Sequence, residues 1–155
     1  MSQPVLFAPM AYARYEASQT LPEKFARLLK RSGLAERVKG KQVAIKMHVG
    51  SGVSYSTIPP VFVRKLVDFV LAHGGKPFIT DHYVAGRHPE QRGYTEHNLG
   101  CPILEGCGHL GKYFFTKPLN YKTFRHVDIA GLIHDADVLI NFSHVKGHGD
   151  CGFGG

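Results

Sequence analysis

Strand-like and helix-like segments alternate along the chain, and this alternation constrains the fold more than any other feature. Apolar side chains alternate with polar ones over residues 42–49 (QVAIKMHV), whereas residues 60–73 place theirs on one face of an amphipathic helix. Residues 76–80 (KPFIT) follow as a short strand, and the apolar run at 138–142 (VLINF) predicts a strand buried on both faces. This spacing predicts an α/β fold, a mostly parallel sheet built from βαβ units with flanking helices.

Local signals place the remaining elements. Residues 1–19 show no periodicity and are expected to be irregular. Thr20 and Glu23 have the spacing of a capping box, which predicts that a helix begins there. Residues 94–100 predict a helical turn, and Asp128 is expected to cap a short helix just after it.

The length of 155 residues predicts a single α/β domain over residues 1–155. Another helix is expected to cover the last buried strand, yet the sequence stops soon after it, so we expect a continuation beyond residue 155. No apolar run approaches the roughly 20 residues that span a bilayer, which argues against a membrane partner. Three cysteines and a start without a secretory pattern predict a reducing, cytoplasmic location.

The formal net charge of +7 favours anionic partners. Lys and Arg are spread over the chain without zinc-finger spacing, an RNA-binding signature or a basic helical stripe, which argues against nucleic acid. Glycine-rich loops offer backbone N–H groups to a carboxylate or phosphate. A small anionic ligand is therefore the expected partner.

Polar residues follow the predicted parallel strands where such sheets bind their ligands, outside the carboxyl ends. Lys46 and His48 are two residues apart on the first strand and therefore point to the same face, and Asp81 and His82 end the second strand. We predict Lys46, His48 and Asp81 as catalytic residues. Lys46 would be an anion clamp or a Schiff-base amine, and His48 a ligand or general base. The alternatives are an exposed strand face for the first pair, and a metal ligand set or a plain turn for the second.

The glycine-rich tail after the last strand has three open interpretations. His144, His148 and Cys151 have the spacing H-x3-H-x2-C, which predicts a site for a divalent metal, iron, nickel or zinc. Alternatively the tail binds an anion, with Lys146 and the backbone of the glycine loop as ligand-binding groups, or it is a structural loop. The glycines assigned to ligand binding are Gly152, Gly154 and Gly155.

Other motifs narrow the classes of protein. Cys101, Cys107 and His109 form a second constellation whose spacing matches no common zinc module. The four-cysteine run of an iron–sulfur cluster is absent from the sequence, as are G-x-S-x-G, Walker A and G-x-G-x-x-G. Serine hydrolases, P-loop nucleotidases and classical dinucleotide dehydrogenases thereby lose support.

Four separated blocks together resemble the family known as domain of unknown function 362. They are VAIKMHVG (43–50), PPVFVRKLVDFVLAHGGKPFITD (59–81), DIAGLIHDADVLINFSHVKGH (128–148) and GFGG (152–155). The resemblance implies an iron–sulfur-associated α/β domain in an anaerobic or redox setting, because many members carry a ferredoxin module. This sequence lacks those cysteines and ends where members continue. The site positions carried over are Lys46, His48, Asp81, His144, Lys146, His148 and the loop 152–155.

Two functions follow as hypotheses. The first is a metal- or anion-binding domain of redox or isomerase type that acts on a small anionic substrate. The second is a non-catalytic module that binds a ligand or partner and works with a ferredoxin-type iron–sulfur protein or with a missing C-terminal part.

Overall fold

A computed structural model describes residues 4–50, 56–84 and 86–154. The helices are α1 (Leu21–Arg31), α2 (Leu34–Val38), α3 (Pro60–Ala72), α4 (Glu96–Leu99) and α5 (Gly131–Asp135). The strands are β1 (Gln42–Lys46), β2 (Lys76–Asp81), β3 (Ile103–Glu105), β4 (Phe114–Tyr121), β5 (Phe124–Ala130), β6 (Val138–Asn141), β7 (Lys146–His148) and β8 (Gly152–Gly154).

The central sheet has four parallel strands in the order β3-β2-β1-β6, which confirms the predicted α/β class. From β1 the chain moves outward through β2 to β3, then returns to place β6 on the other side of β1. The strand order therefore reverses between β1 and β6. In open α/β sheets, ligands bind at such a reversal, outside the carboxyl ends of the strands.

Helices α1 and α3 cover one face of this sheet, where the hydrophobic core lies. Helix α3 begins at Pro60, whose fixed φ and missing N–H suit the first helical turn. Its apolar stripe is fully buried against the inward residues of β1. The side chains of these two elements that form this core are Val43, Ile45, Val63, Leu66, Val67 and Val70.

The predicted helix α1 is present, but its capping box is not formed. The Thr20 hydroxyl donates to the Ala17 carbonyl at 2.9 Å, because a 3-10 turn just before the helix brings that carbonyl within reach. The Glu23 carboxylate instead accepts from Lys65 Nζ of α3 at 2.6 Å. Glu23 therefore ties the two helices together.

The irregular N-terminal segment predicted for residues 1–19 contains only the 3-10 turn Ala17–Gln19 among its described residues. Lys24 of α1 is buried, and its ammonium donates to the Pro9 and Ala11 carbonyls. This contact holds the segment along the helix.

Strand β6 corrects the prediction of a strand buried on both faces. It is an edge strand of the sheet, and its residues alternate between half-buried and exposed. Leu139 is 52% exposed, so its side of the strand faces solvent within the described chain. An uninterrupted apolar run does not by itself distinguish an edge strand from a central one.

Strands β4 and β5 form a mostly exposed, two-stranded antiparallel hairpin. The sequence favours a strand at residues 112–115, which overlaps only the start of β4. Asp128 lies within β5, where it accepts from the Thr116 hydroxyl at 2.6 Å, so the prediction that it caps a helix is wrong. The short helix α5 begins three residues later, at Gly131.

The glycine-rich tail folds into a second small hairpin, in which Lys146 pairs with Gly154 and His148 with Gly152. Gly152 has a positive φ of 71°, a conformation that glycine adopts without strain. Among the described residues, no helix has both the length and the apolar character needed to cross a membrane.

Candidate functional site

A cluster of charged side chains lies at the carboxyl ends of β1 and β2. Lys46 ends β1 and Asp81 ends β2, and the two strands are paired in parallel. Lys46 Nζ lies 3.9 Å from Asp81 Oδ1, and His48 Nδ1 lies 3.4 Å from Asp81 Oδ2. The three residues predicted to be catalytic are thus in contact through a single carboxylate.

Asp81 is held in place by the backbone. Its Oδ2 accepts from the Val49 N–H at 3.1 Å and its Oδ1 accepts from the His82 N–H at 2.9 Å. The residue is only 8% exposed. Both carboxylate oxygens are therefore fixed by main-chain donors, and the carboxylate presents a rigid negative charge to Lys46 and His48.

Burial lowers the pKa of His48, and it is the largest influence on that group. The positive charges of Lys146 and Arg87 lower the pKa further, whereas the charge and hydrogen bond of Asp81 raise it. The net direction is downward. His48 is therefore a neutral imidazole at neutral pH, the form that accepts a proton.

Lys146 and Arg87 complete the charged cluster from two further segments. Lys146 begins β7, just after β6, and Arg87 lies in the loop after β2. Both act electrostatically on His48. Lys146 was predicted from the sequence as a ligand-binding residue, whereas Arg87 was missed. Its signal was its position in the polar loop that leaves a parallel strand at the carboxyl end.

A second arginine ties the loops of the site together. Arg92 Nη2 donates to the Val49 carbonyl at 2.6 Å and to the Arg87 carbonyl at 3.0 Å. It thereby joins the segment that follows β1 to the segment that follows β2. Residues 51–55, which lie between β1 and α3 in the sequence, are outside the described residues.

The row of side chains across the sheet adds polar groups beside Lys46. Asn141 of β6, Lys46 of β1 and Thr80 of β2 are register neighbours and so share one face. The Thr80 hydroxyl is fully buried and, within the described chain, has no hydrogen-bond partner. Lys46 therefore lies between two uncharged polar groups.

The predicted metal ligands of the tail are not brought together around one position. His144, His148 and Cys151 are all exposed. His148 Nδ1 accepts from the Asp150 and Cys151 N–H groups, both at 3.2 Å, so this nitrogen stabilises the hairpin turn. In the ranges 4–50, 56–84 and 86–154, no three His, Cys, Asp or Glu side chains are arranged to hold a metal ion.

The predicted glycine ligands occupy different positions in that hairpin. Gly152 lies at its turn and Gly154 pairs with Lys146, while Gly155 lies outside the described residues. A Cβ at Gly154 would lie 3.3 Å from the His148 ring. The glycine therefore allows the two strands to pack closely beside Lys146.

A thiol and an imidazole that belong to separate sequence motifs are in contact beside Asp81. Cys107 Sγ lies 3.4 Å from His82 Nδ1. Cys107 is buried and His82 is exposed. Sequence reasoning noticed each residue but missed the pair, because the loops that carry them are far apart along the chain.

Comparison with known proteins gives one match. A family model described as "Domain of unknown function (DUF362)" matches residues 43–155. The curated proteins and the solved structures gave no match. The matched range includes every residue of the charged cluster.

Proposed function

Since the chain belongs to the DUF362 family, which is defined as a domain of unknown function, we propose a function from the geometry of its charged cluster. The domain binds a small anion, a carboxylate or a phosphate, at the carboxyl ends of β1, β2 and β6. His48 then moves a proton to or from the bound molecule. This is chemistry of the isomerase type.

The balance of charge in this cluster is the observation that supports the proposal. Lys46, Lys146 and Arg87 lie around His48, and the Asp81 carboxylate contacts both Lys46 and His48. Two backbone N–H groups already satisfy Asp81, so its charge is partly compensated. The cluster keeps a positive surplus, which favours an anion over a metal cation.

The contact between His48 and Asp81 supports proton transfer. With Nδ1 directed at the carboxylate, the Nδ1–H tautomer is stabilised and Nε2 is left as the proton acceptor. The carboxylate stabilises the imidazolium that forms when His48 takes a proton. The ammonium groups of Lys46 and Lys146 would hold the anionic group of the substrate and stabilise charge that develops beside it.

Anion binding is tested by titration calorimetry with inorganic phosphate and with a series of 2-oxo and 2-hydroxy carboxylates. The variants Lys46→Gln and Lys146→Gln each remove one cation from the cluster, and we expect each to weaken binding about tenfold, a loss of roughly 1.4 kcal/mol. Lys76→Gln is the matched control, because Lys76 is an exposed lysine at the opposite end of the same sheet. Equal affinity of the Lys46, Lys146 and Lys76 variants would reject the proposed site.

Proton transfer is tested separately, by NMR detection of exchange between carbon-bound hydrogen of the bound carboxylate and D2O. We expect His48→Gln to lose the exchange while it still binds the anion. Exchange that continues at the wild-type rate in this variant would remove His48 from the mechanism.

A binding module without catalysis is the second candidate, and the β4–β5 hairpin favours it. Residues 106–127 contain Lys112, Lys117, Lys122 and Arg125 but no acidic residue. Tyr121 and Phe124 at the end of the hairpin are 57% and 61% exposed. Exposed aromatic and cationic side chains suit an acidic protein partner. Anion binding without any proton exchange would support this alternative.

The predicted metal site stays a prediction. His144, His148 and Cys151 would have to leave their described positions to share one ion, and His148 Nδ1 is already engaged in its turn. The partner, the redox activity and the iron–sulfur association implied by the resemblance likewise remain expectations.

A further inference from the structure

We propose that Cys107 and His82 form a nucleophilic thiol–imidazole pair that reacts with a small anionic carbon electrophile beside Asp81. Cys107 Sγ lies 3.4 Å from His82 Nδ1, within contact distance for a hydrogen bond to sulfur. A thiol beside a proton-accepting imidazole is the usual arrangement of an activated cysteine nucleophile.

A backbone hydrogen bond holds the two residues of this pair next to each other. The Gly106 N–H donates to the Asp81 carbonyl at 2.8 Å, so the residue before Cys107 is bonded to the residue before His82. A Cβ at Gly106 would lie 3.1 Å from that carbonyl oxygen and 3.3 Å from Thr80 Oγ1. Glycine is therefore needed for the close approach that brings the thiol to the imidazole.

The position of the pair links it to the anion site. His82 directly follows Asp81, and its N–H donates to the Asp81 carboxylate. His82 is exposed, so the imidazole side of the pair faces solvent. An electrophile that carries a carboxylate would be attracted to Lys46, which contacts Asp81, the residue before His82.

The chemistry balances without a further reactant. His82 accepts the thiol proton, and the sulfur electron pair forms a bond to the electrophilic carbon. With the probe iodoacetamide, the carbon–iodine bond breaks as the carbon–sulfur bond forms, and iodide leaves. The products are a thioether at Cys107, iodide and a protonated imidazole.

The other two cysteines are internal controls. Cys101 is buried, and burial raises the pKa of its thiol to about 11, so it should react slowly. Cys151 is exposed in the turn of the C-terminal hairpin and reports the rate of an accessible thiol. All three rates can be measured in one sample of the intact protein.

The first experiment follows alkylation by iodoacetamide near neutral pH, with each cysteine-containing peptide quantified by mass spectrometry. We expect Cys107 to react faster than Cys151 in spite of its burial. Because an ordinary thiol is only a few per cent thiolate at neutral pH, loss of the imidazole should slow Cys107 about tenfold. Both His82→Ala and His82→Asn are used, and circular dichroism verifies that each is folded.

His109→Ala is the matched control, since His109 is an exposed histidine two residues from Cys107. It should leave the Cys107 rate unchanged. A Cys107 rate no greater than that of Cys151, or one unaffected by both His82 variants, would overturn the pair.

The second experiment compares iodoacetate with iodoacetamide, and only this step rests on the proposed anion site. The quantity compared is the rate with iodoacetate divided by the rate with iodoacetamide. We expect this ratio to be larger at Cys107 than at Cys151, and to fall several-fold at Cys107 in Lys46→Gln. An equal ratio at the two thiols would overturn the preference for an anionic electrophile. The iodoacetamide result would stand, so failure of the pair and failure of the anion site are distinguishable.

Discussion

At the residue scale, the site depends on a carboxylate whose position is fixed by the main chain. Both oxygens of Asp81 accept backbone N–H groups, and the same oxygens face Lys46 and His48. A side chain fixed in this way cannot rotate toward a ligand or away from it. The electrostatic state of His48 is therefore set by its fixed surroundings.

Two substitutions should shift the pKa of His48 in opposite directions. Lys146→Gln removes a positive charge that lowers this pKa, so the pKa should rise. Asp81→Asn removes a charge and a hydrogen bond that raise it, so the pKa should fall. The measurement is an NMR titration of the His48 ring protons. Shifts in the same direction would contradict the described surroundings of His48.

The lowered pKa of His48 also gives stability a pH dependence of known sign. Between the folded pKa and the ordinary value of about 6.5, the unfolded chain binds a proton that the folded chain does not. This contribution to stability is fully present above pH 6.5 and is lost as the pH falls through the folded pKa. The free energy of unfolding is measured by urea denaturation at several pH values for the wild type and His48→Gln. We expect it to change less with pH in the variant.

At the element scale, local sequence signals were sufficient where one face of a segment is buried. Helix α3 and strand β1 were predicted because their apolar residues recur with the period of the element. The β4–β5 hairpin was missed in part because its residues are mostly exposed, which leaves no hydrophobic period to detect. Strand β6 was predicted as a strand, but its predicted burial on both faces was wrong, because an apolar run does not reveal a place at the edge of the sheet.

The close packing of Gly75 gives a stability prediction at this scale. A Cβ there would lie 2.6 Å from Val70 Cγ1 and 3.0 Å from the Val38 carbonyl oxygen. Gly75→Ala should therefore destabilise the fold by about 1–3 kcal/mol through overpacking. Gly149→Ala is the control, since nothing lies within 4 Å of its Cβ position. Similar midpoints in urea for both variants would show that the loop before β2 yields to the added methyl group.

At the scale of the whole molecule, chain topology determines where the site lies. Lys46, Asp81 and Lys146 come from three regions of the sequence, and the parallel strands bring them to one end of the sheet. The rule for parallel sheets was enough to select these residues. Their distances, the role of Arg87 and the pairing of His82 with Cys107 were not predictable, because they depend on how loops pack.

The net charge of +7 predicts a strong dependence of anion binding on salt. Raising the ionic strength from about 0.01 M to about 1 M shortens the Debye length from about 30 Å to about 3 Å. Phosphate affinity should therefore fall steeply over this range in the wild type, and less steeply in Lys46→Gln. Calorimetric titrations at several salt concentrations measure both slopes. An affinity independent of salt would show that the surplus charge does not act on the ligand.

The reversal of strand order between β1 and β6 has a consequence for how such a domain can change. This reversal is a product of backbone connectivity, so it persists whichever side chains lie at the carboxyl ends of the two strands. Loop residues there can be exchanged for others without disturbing the helices and strands beneath. The fold can thus support different reactions at the same position in the sheet. Relatives that share this strand order need not share a substrate.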